Sequence, residues 1–159
     1  MKEARENIFT IFDDILKRED KEKLLNQKAK VIWMTGLSGS GKTTIATGVE
    51  KCLHNRGILN QLLDGDNIRV GISNNLTFST KDRLENIRRI AEINKLFLNC
   101  GIVTLNCFIS PTEEIRQIAK MYVTSPAGDA AKLKAIEKTG LKSFSVKTSN
   151  AIAEVFINA

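Results

Sequence analysis

The sequence is poor in the residues that build metal sites, disulfide frameworks and aromatic nucleic-acid platforms. It has one histidine and three cysteines, Cys52, Cys100 and Cys107. No cysteines stand at paired or metal-ligand spacing, and the lone Cys52-x-His54 supplies too few ligands to hold an ion. The thiols therefore read as reduced, with Cys100 and Cys107 expected in the core and Cys52 and His54 as ordinary helix residues of a cytoplasmic protein. No apolar run approaches the roughly 18 residues of a membrane span. The opening MKEARENIFTIFDDILKRED mixes acids with bases and lacks the basic, apolar, small-residue order of a secretory signal. Aromatics make up 6% of the chain, and the Lys and Arg residues are spread along it with no basic run interleaved with aromatics. Nucleic acid and membrane are therefore not expected as partners, and the net charge of +6 is accounted for by small anionic ligands.

At 159 residues and 42% hydrophobic content, the chain is expected to form a single domain around one core. Its most informative stretch is GLSGSGKTT, Gly36 to Thr44, directly after the apolar run VIWMT. The spacing Gly-x4-Gly-Lys-Thr is a complete phosphate-binding loop. Glycines and serines let the backbone turn its N–H groups around an anion, and the helix predicted to follow points its positive end at the same place. Gly36, Leu37, Ser38, Gly39, Ser40, Gly41, Lys42, Thr43 and Thr44 are thus the expected ATP-binding residues. Lys42 is expected to reach the β and γ oxygens, and the Thr43 hydroxyl to join a magnesium shell. The bland alternative is a Gly/Ser-rich turn with no ligand.

Apolar spacing organises the remainder. An amphipathic helix is predicted over 6–26, with Ile8, Phe12, Ile15 and Leu16 on one face, then the strand KVIWMT, the loop, and a helix to about His54 stopped by Gly57. ILNQLLDGDN gives a strand ending at Asp64, followed by a polar loop. DRLENIRRIAEINKLFLNCG is the longest predicted helix, with Leu84, Ile87, Ile90, Ala91, Asn94, Phe97 and Leu98 at helical spacing and Gly101 ending it. GIVTLNCFIS reads as a strand buried on both faces, and EEIRQIAKMY as a helix after Pro111. Strands alternating with helices predict an α/β fold with a doubly wound parallel sheet, helices on both faces and ligands at the carboxyl ends of the strands.

Beyond the loop, LDGDNIR (63–69), LTFSTKDRLENIRRIAE (76–92) and FISPTEEIR (108–116) together resemble the adenylylsulfate kinase (APS kinase) family of P-loop kinases, from about Glu6 to Lys120. The resemblance implies transfer of the ATP γ-phosphate to the 3′-hydroxyl of adenosine 5′-phosphosulfate, in sulfate assimilation, with Mg2+ and a possible homodimer. On their own terms, Asp64 and Asp66 are two carboxylates at a strand end that can divide magnesium positioning from proton acceptance. The family pattern puts the base at Asp66; the alternative is a solvated Asp-Gly-Asp-Asn turn. Arg69, Arg83 and Asn86 match family positions that hold the phosphosulfate nucleotide, and arginine's two-pronged donor suits that anion. Otherwise these arginines would pair with Asp82 and Glu85. Phe78 matches an aromatic that stacks on adenine, with core packing as its alternative. Ser110 closes the site beside Ile109; its family position carries a phosphoserine intermediate in some members, whereas direct transfer needs none.

After Lys120 the sequence departs from that pattern. The family's Arg-Asp-x-Lys-Gly-Leu-Tyr lid segment and its Phe-Thr-Gly stretch do not occur in 121–159, so this tail reads as truncated or divergent. An Ala/Lys-rich helix is predicted from Asp129 to Lys138 with Gly140 as its cap, and the closing AEVFINA as a further sheet strand. Two other functions stay open: a non-catalytic nucleotide-binding or regulatory relative without the lid, and a kinase for another small hydroxyl. Arg69, Arg83 and the FISP strand weigh against the latter.

Overall fold

The structure, a computed structural model, describes residue 9 and residues 11–124, 142–148 and 151–158. The elements are α1 (Arg18–Leu25), β1 (Val31–Thr35), α2 (Lys42–Asn55), β2 (Asn60–Asp64), α3 (Gly65–Val70), α4 (Thr80–Asn99), β3 (Val103–Phe108), α5 (Glu113–Thr124), β4 (Lys142–Thr148) and β5 (Ala151–Asn158). They build one sheet in the order β2-β3-β1-β5-β4. β1, β2 and β3 are parallel, as the alternation of strand and helix predicts, and their carboxyl ends lie together.

Strand periodicity sorts the core into two layers. Val31 and Trp33 of β1, Leu63 of β2 and Phe108 of β3 pack with Ile87, Ile90, Ala91 and Leu98 of α4 and Ile115 and Ala119 of α5. Met34, Leu105 and Cys107 point the other way, where Ala46, Ile45, Val49 and Leu53 of α2 meet them. Successive residues of a strand face opposite sides, so strands covered on both faces must be apolar on both. All six residues of β3 are buried accordingly. Trp33 stacks obliquely on Phe108 with ring centroids 5.2 Å apart.

One part of this core is polar. Asn94 of α4 and Asn106 of β3 exchange hydrogen bonds, Nδ2 to Oδ1 at 2.8 Å and Nδ2 to Oδ1 at 3.0 Å in return. Thr104 Oγ1 donates to Asn94 Oδ1 at 2.5 Å, and the amides reach the Ile90 and Ile32 carbonyls. All three side chains are fully buried, and because each has partners the desolvation penalty of an orphaned polar group is avoided.

The amino-terminal helix is shorter than the predicted 6–26. It starts at Arg18, because the Asp20 carboxylate accepts the Lys17 N–H at 3.1 Å and Lys17 is extended (φ −78°, ψ 166°), while the Lys17 ammonium donates to the Phe12 carbonyl at 2.7 Å. Phe12, Ile15 and Leu16 are exposed turn or coil residues and no packed helix face, and Ile8 lies outside the described residues. What docks α1 is Glu22, buried at 4% exposure, which accepts from Arg18 Nε at 2.7 Å, Lys28 Nζ at 2.8 Å and the Ala29 N–H at 2.8 Å. The Lys28 ammonium above all, then the Ala29 N–H and Arg18, hold its carboxyl down at about 2 against the opposing effect of burial.

Three further differences concern loops and the tail. α3 occupies what reads in sequence as a polar loop, since the Asp64 side chain caps it by accepting the Asp66 N–H at 3.0 Å. Cys100 is exposed at the end of α4, not in the core; Cys107 is buried and Cys52 exposed. The strand predicted at AEVFINA falls within β5 as far as Asn158, Ala159 lying outside the described residues; it is beside β1 but runs antiparallel to it and is paired with β4, which the sequence reading missed. Only residues 149 and 150 separate β4 from β5, and so short a connection permits antiparallel pairing alone. The helix predicted from Asp129 to Lys138, with Gly140, lies outside the described residues. No helix among the described residues is long and apolar enough to cross a membrane.

Candidate active site

A cleft opens at the carboxyl ends of β2 and β3, between the amino-terminus of α2 and the loop that enters α4. Its α2 wall consists of Ser38, Gly39, Lys42 and Thr43. Gly39 and Gly41 have φ of 74° and 84°, and a Cβ built on either meets nothing within 4 Å, so it is the left-handed backbone and not crowding that requires glycine there. Gly41 is the residue at which the loop becomes α2. The Lys42 ammonium lies back over this loop, donating to the Gly36 and Leu37 carbonyls at 2.8 and 2.7 Å and to Ser40 Oγ at 3.3 Å. Burial pulls its pKa below the ordinary lysine range, and Cys107, Asp64 and Asp66 act in the opposite direction.

Across the floor, β2 delivers Asp64 and the start of α3 delivers Asp66. Asp64 Oδ2 accepts from Thr43 Oγ1 at 2.9 Å while its Oδ1 caps α3. The Asp66 side chain is exposed to the cleft and accepts no hydrogen bond among the described residues. The two carboxylates are therefore distinct: Asp64 is engaged with the loop threonine, and Asp66 faces open space. Gly65 lies between them against β3, where a Cβ would make ordinary contacts of 3.4 Å with the Cys107 carbonyl and the Phe108 ring.

The far wall comes from α3 and α4. Phe78 is 67% exposed, which rules out the core-packing alternative. The guanidinium carbons of Arg69 and Arg83 stand 4.3 and 5.4 Å from its ring centre, within cation–π range. Neither arginine forms an ion pair among the described residues. Glu85 instead binds Arg88 and Arg89 at 2.8 and 2.9 Å, and those two, Arg88 first, hold its carboxyl at about 2. Asn86 is buried at the back of the cleft, and its Oδ1 has no hydrogen-bond partner among the described residues.

Ser110 is placed apart from these groups. Its hydroxyl, buried in a residue only 1% exposed, accepts the Trp33 indole N–H at 3.3 Å, and its carbonyl accepts from Thr35 Oγ1 at 3.2 Å and Arg116 Nη1 at 3.0 Å. Ser110 lines a neighbouring hollow with Gly36 and Leu37, separated from the Asp66 side by Ile109, which borders both. Ser40, Gly41 and Thr44 line neither space: Ser40 is buried beneath the loop and Thr44 lies exposed on α2.

Sequence reasoning did not single out Gly65, Ile87, Cys107, Phe108 and Ile115, which also line the cleft. The signal for Cys107 is strand register, because it lies opposite Asp64. Burial, and then the Asp64 charge, push its thiol up to about 12, so it is an inert part of the wall.

A family model described as adenylylsulphate kinase matches residues 28–134, so the likeness runs past Lys120. The chain is 55% identical over 137 residues to the adenylyl-sulfate kinase of Phocaeicola vulgatus, covering 80% of this chain and 67% of that protein. With the adenylyl-sulfate kinase of Bacteroides fragilis it shares 59% identity over 121 residues, covering 76% of this chain and 60% of the relative. It thus spans 60–67% of the length of these relatives. Among solved structures, the Mycobacterium tuberculosis APS kinase in complex with AMPPNP and APS is 44% identical with a TM-score of 0.59, covering 60% of this chain and 56% of that one. The family match takes in the phosphate loop, both aspartates and the arginine-bearing helix, and on that ground the chain belongs to the adenylylsulphate kinase family.

Proposed function

We propose that this chain transfers the γ-phosphate of ATP to the 3′-hydroxyl of adenosine 5′-phosphosulfate, giving 3′-phosphoadenosine 5′-phosphosulfate. The observation that carries the reading is the pairing, in one cleft, of a phosphate loop with two arginines that have no carboxylate partner among the described residues and flank an exposed aromatic ring. A P-loop wall alone accounts for a nucleoside triphosphate; the second wall adds a place for an anionic nucleotide acceptor.

In this reading the loop N–H groups and Lys42 hold the triphosphate, the ammonium exchanging its loop carbonyls for β and γ oxygens. The Thr43 hydroxyl and the Asp64 carboxylate, adjacent hard oxygens, fit Mg2+, which when bound neutralises phosphate charge. Arg69 and Arg83 take the phosphosulfate, Phe78 stacks on the adenine, and the buried Asn86 Oδ1 accepts a donor from the bound nucleotide. Asp66, with no competing hydrogen bond, takes the proton from the attacking 3′-hydroxyl. Transfer is direct. Ser110, bonded to Trp33 and Thr35, helps to set the ends of β1 and β3 and carries no phosphate in the reaction. The test is turnover of the full chain with Mg-ATP and adenosine 5′-phosphosulfate, following the 3′-phosphorylated product. Binding of both nucleotides without any product would overturn the catalytic reading.

A further inference from the structure

We infer that Asp82 is a positioning residue for the acceptor pocket, holding through Thr77 the short loop that presents Phe78 and supplies the carbonyls on which Arg69 and Arg83 are anchored. The inference rests on reading that pocket as the adenosine 5′-phosphosulfate site.

Phe78 is 67% exposed and meets the Arg69 and Arg83 guanidiniums, which are themselves anchored on its loop, so its placement depends on the backbone that carries it. That backbone is tied to the first turn of α4. The Asp82 carboxylate accepts from the Thr77 N–H at 2.9 Å and from the Thr77 hydroxyl through the same oxygen. In return the Asp82 N–H donates to Ser79 Oγ at 3.2 Å, and the Ser79 N–H to Thr77 Oγ1 at 3.3 Å. Thr77, Ser79 and Asp82 thus close a ring of hydrogen bonds around Phe78. The bonds from Thr77, foremost that from its hydroxyl, hold the Asp82 carboxyl below the usual range, so the acceptor is charged at neutral pH.

The arginines depend on the same segment. Arg69 Nη1 donates to the Thr77 carbonyl at 3.1 Å, and Arg83 Nε to the Phe78 carbonyl at 2.9 Å. Asp82 forms no ion pair with either guanidinium among the described residues, so it orders the segment without neutralising the charges an anion needs. The other end of the loop is secured separately: Arg89 donates to the Ile72 carbonyl at 2.8 Å and to Asn75 Oδ1 at 2.7 Å. Loss of Asp82 would therefore release the part bearing Phe78 and leave the rest attached. The phosphate loop, on the opposite wall, has no bond in this ring.

The test is calorimetric titration of ATP and of adenosine 5′-phosphosulfate into wild type, Asp82→Ala, Asp82→Asn and Thr77→Val. Asp82→Ala is expected to weaken the phosphosulfate nucleotide by about tenfold while ATP affinity stays within about twofold. Asp82→Asn should recover most of the loss, because its amide oxygen, in place of the one carboxylate oxygen that both bonds use, can still accept from the Thr77 N–H and the Thr77 hydroxyl. Thr77→Val, which keeps the carboxylate, should show a smaller loss in the same direction. Unchanged phosphosulfate affinity in Asp82→Ala, or an equal fall for both ligands, would overturn the inference; if Asp82→Ala does not fold, Thr77→Val decides by the same criteria. A wild type that does not prefer adenosine 5′-phosphosulfate to AMP would instead overturn the reading of the pocket, and that arm is independent of the variants.

Discussion

The Thr43 hydroxyl donates to Asp64 Oδ2 at 2.9 Å and so joins the first turn of α2 to the last residue of β2. The other oxygen of that carboxylate caps α3 through the Asp66 N–H. Asp64→Asn keeps an oxygen for the cap but lowers the charge beside Thr43. Its expected effect is a loss of about tenfold or more in magnesium-dependent ATP affinity, with little change in magnesium-free affinity. Titration with and without Mg2+ checks this, and an equal loss in both would count against the assignment.

Lys42→Ala removes the ammonium that bridges the Gly36 and Leu37 carbonyls, and with it the mobile cation for the β and γ oxygens. Turnover should fall by about two to three orders of magnitude, in line with losing a charged donor to a developing anion. Steady-state kinetics with saturating acceptor provide the measurement.

Asp66→Asn leaves the shape of the cleft and removes the proton acceptor. Product formation should drop by roughly two to four orders of magnitude, while both nucleotides bind almost as before. If Asp64→Asn abolished transfer and Asp66→Asn did not, the roles of the two carboxylates would be reversed.

Arg83→Ala tests the choice of acceptor. Adenosine 5′-phosphosulfate should bind wild type better than AMP by about 1.5–3 kcal/mol, the range for a charge-assisted hydrogen bond, and the variant should lose most of that margin. ATP affinity should be unaffected. Equal affinity of wild type for the two acceptor ligands would refute the assignment.

Glu22 predicts an acid limit to stability. Its folded pKa of about 2 lies below the ordinary 4.5, so its contribution is full above about 4.5 and is lost as pH falls toward 2. Glu22→Gln should therefore lower the melting temperature at pH 7 and narrow the gap to wild type as pH drops through that window. Parallel melting curves for the two proteins across the whole range would remove Glu22 as the cause.

The parts of this molecule that sequence makes legible are those where a local rule decides. The apolar run before Gly36, the lysine and threonine after Gly41, and the mostly apolar β3 each carry their structural meaning within a few positions. That Lys42, Thr43, Asp64, Asp66, Arg69, Phe78, Arg83 and Asn86 line one cleft is legible for the same reason, as spaced motifs. What sequence leaves open depends on distant partners. Whether Asp64 or Asp66 is engaged turns on Thr43, 21 positions before Asp64. The exclusion of Ser110 from the main cleft turns on Trp33, 77 positions away. Phe12, Ile15 and Leu16 have helical spacing, but spacing does not tell where a helix starts; the Asp20 bond to the Lys17 N–H does.

The polar trio of Asn94, Thr104 and Asn106 bears on how the sheet selects its alignment. β3 is buried on both faces and, apart from Thr104 and Asn106, is apolar, so apolar burial alone would oppose a slide by one residue against β1 and β2 only weakly. Such a slide would turn Thr104 and Asn106 toward α2 and leave the Asn94 amide dry and unmatched against α4, at about 1–3 kcal/mol for each orphaned group. The trio thus works as a vernier: it penalises the neighbouring alignments more than it strengthens the correct one. A fully apolar replacement of the three would keep much of the melting temperature yet yield a broadened amide spectrum, as several sheet alignments came to share the population.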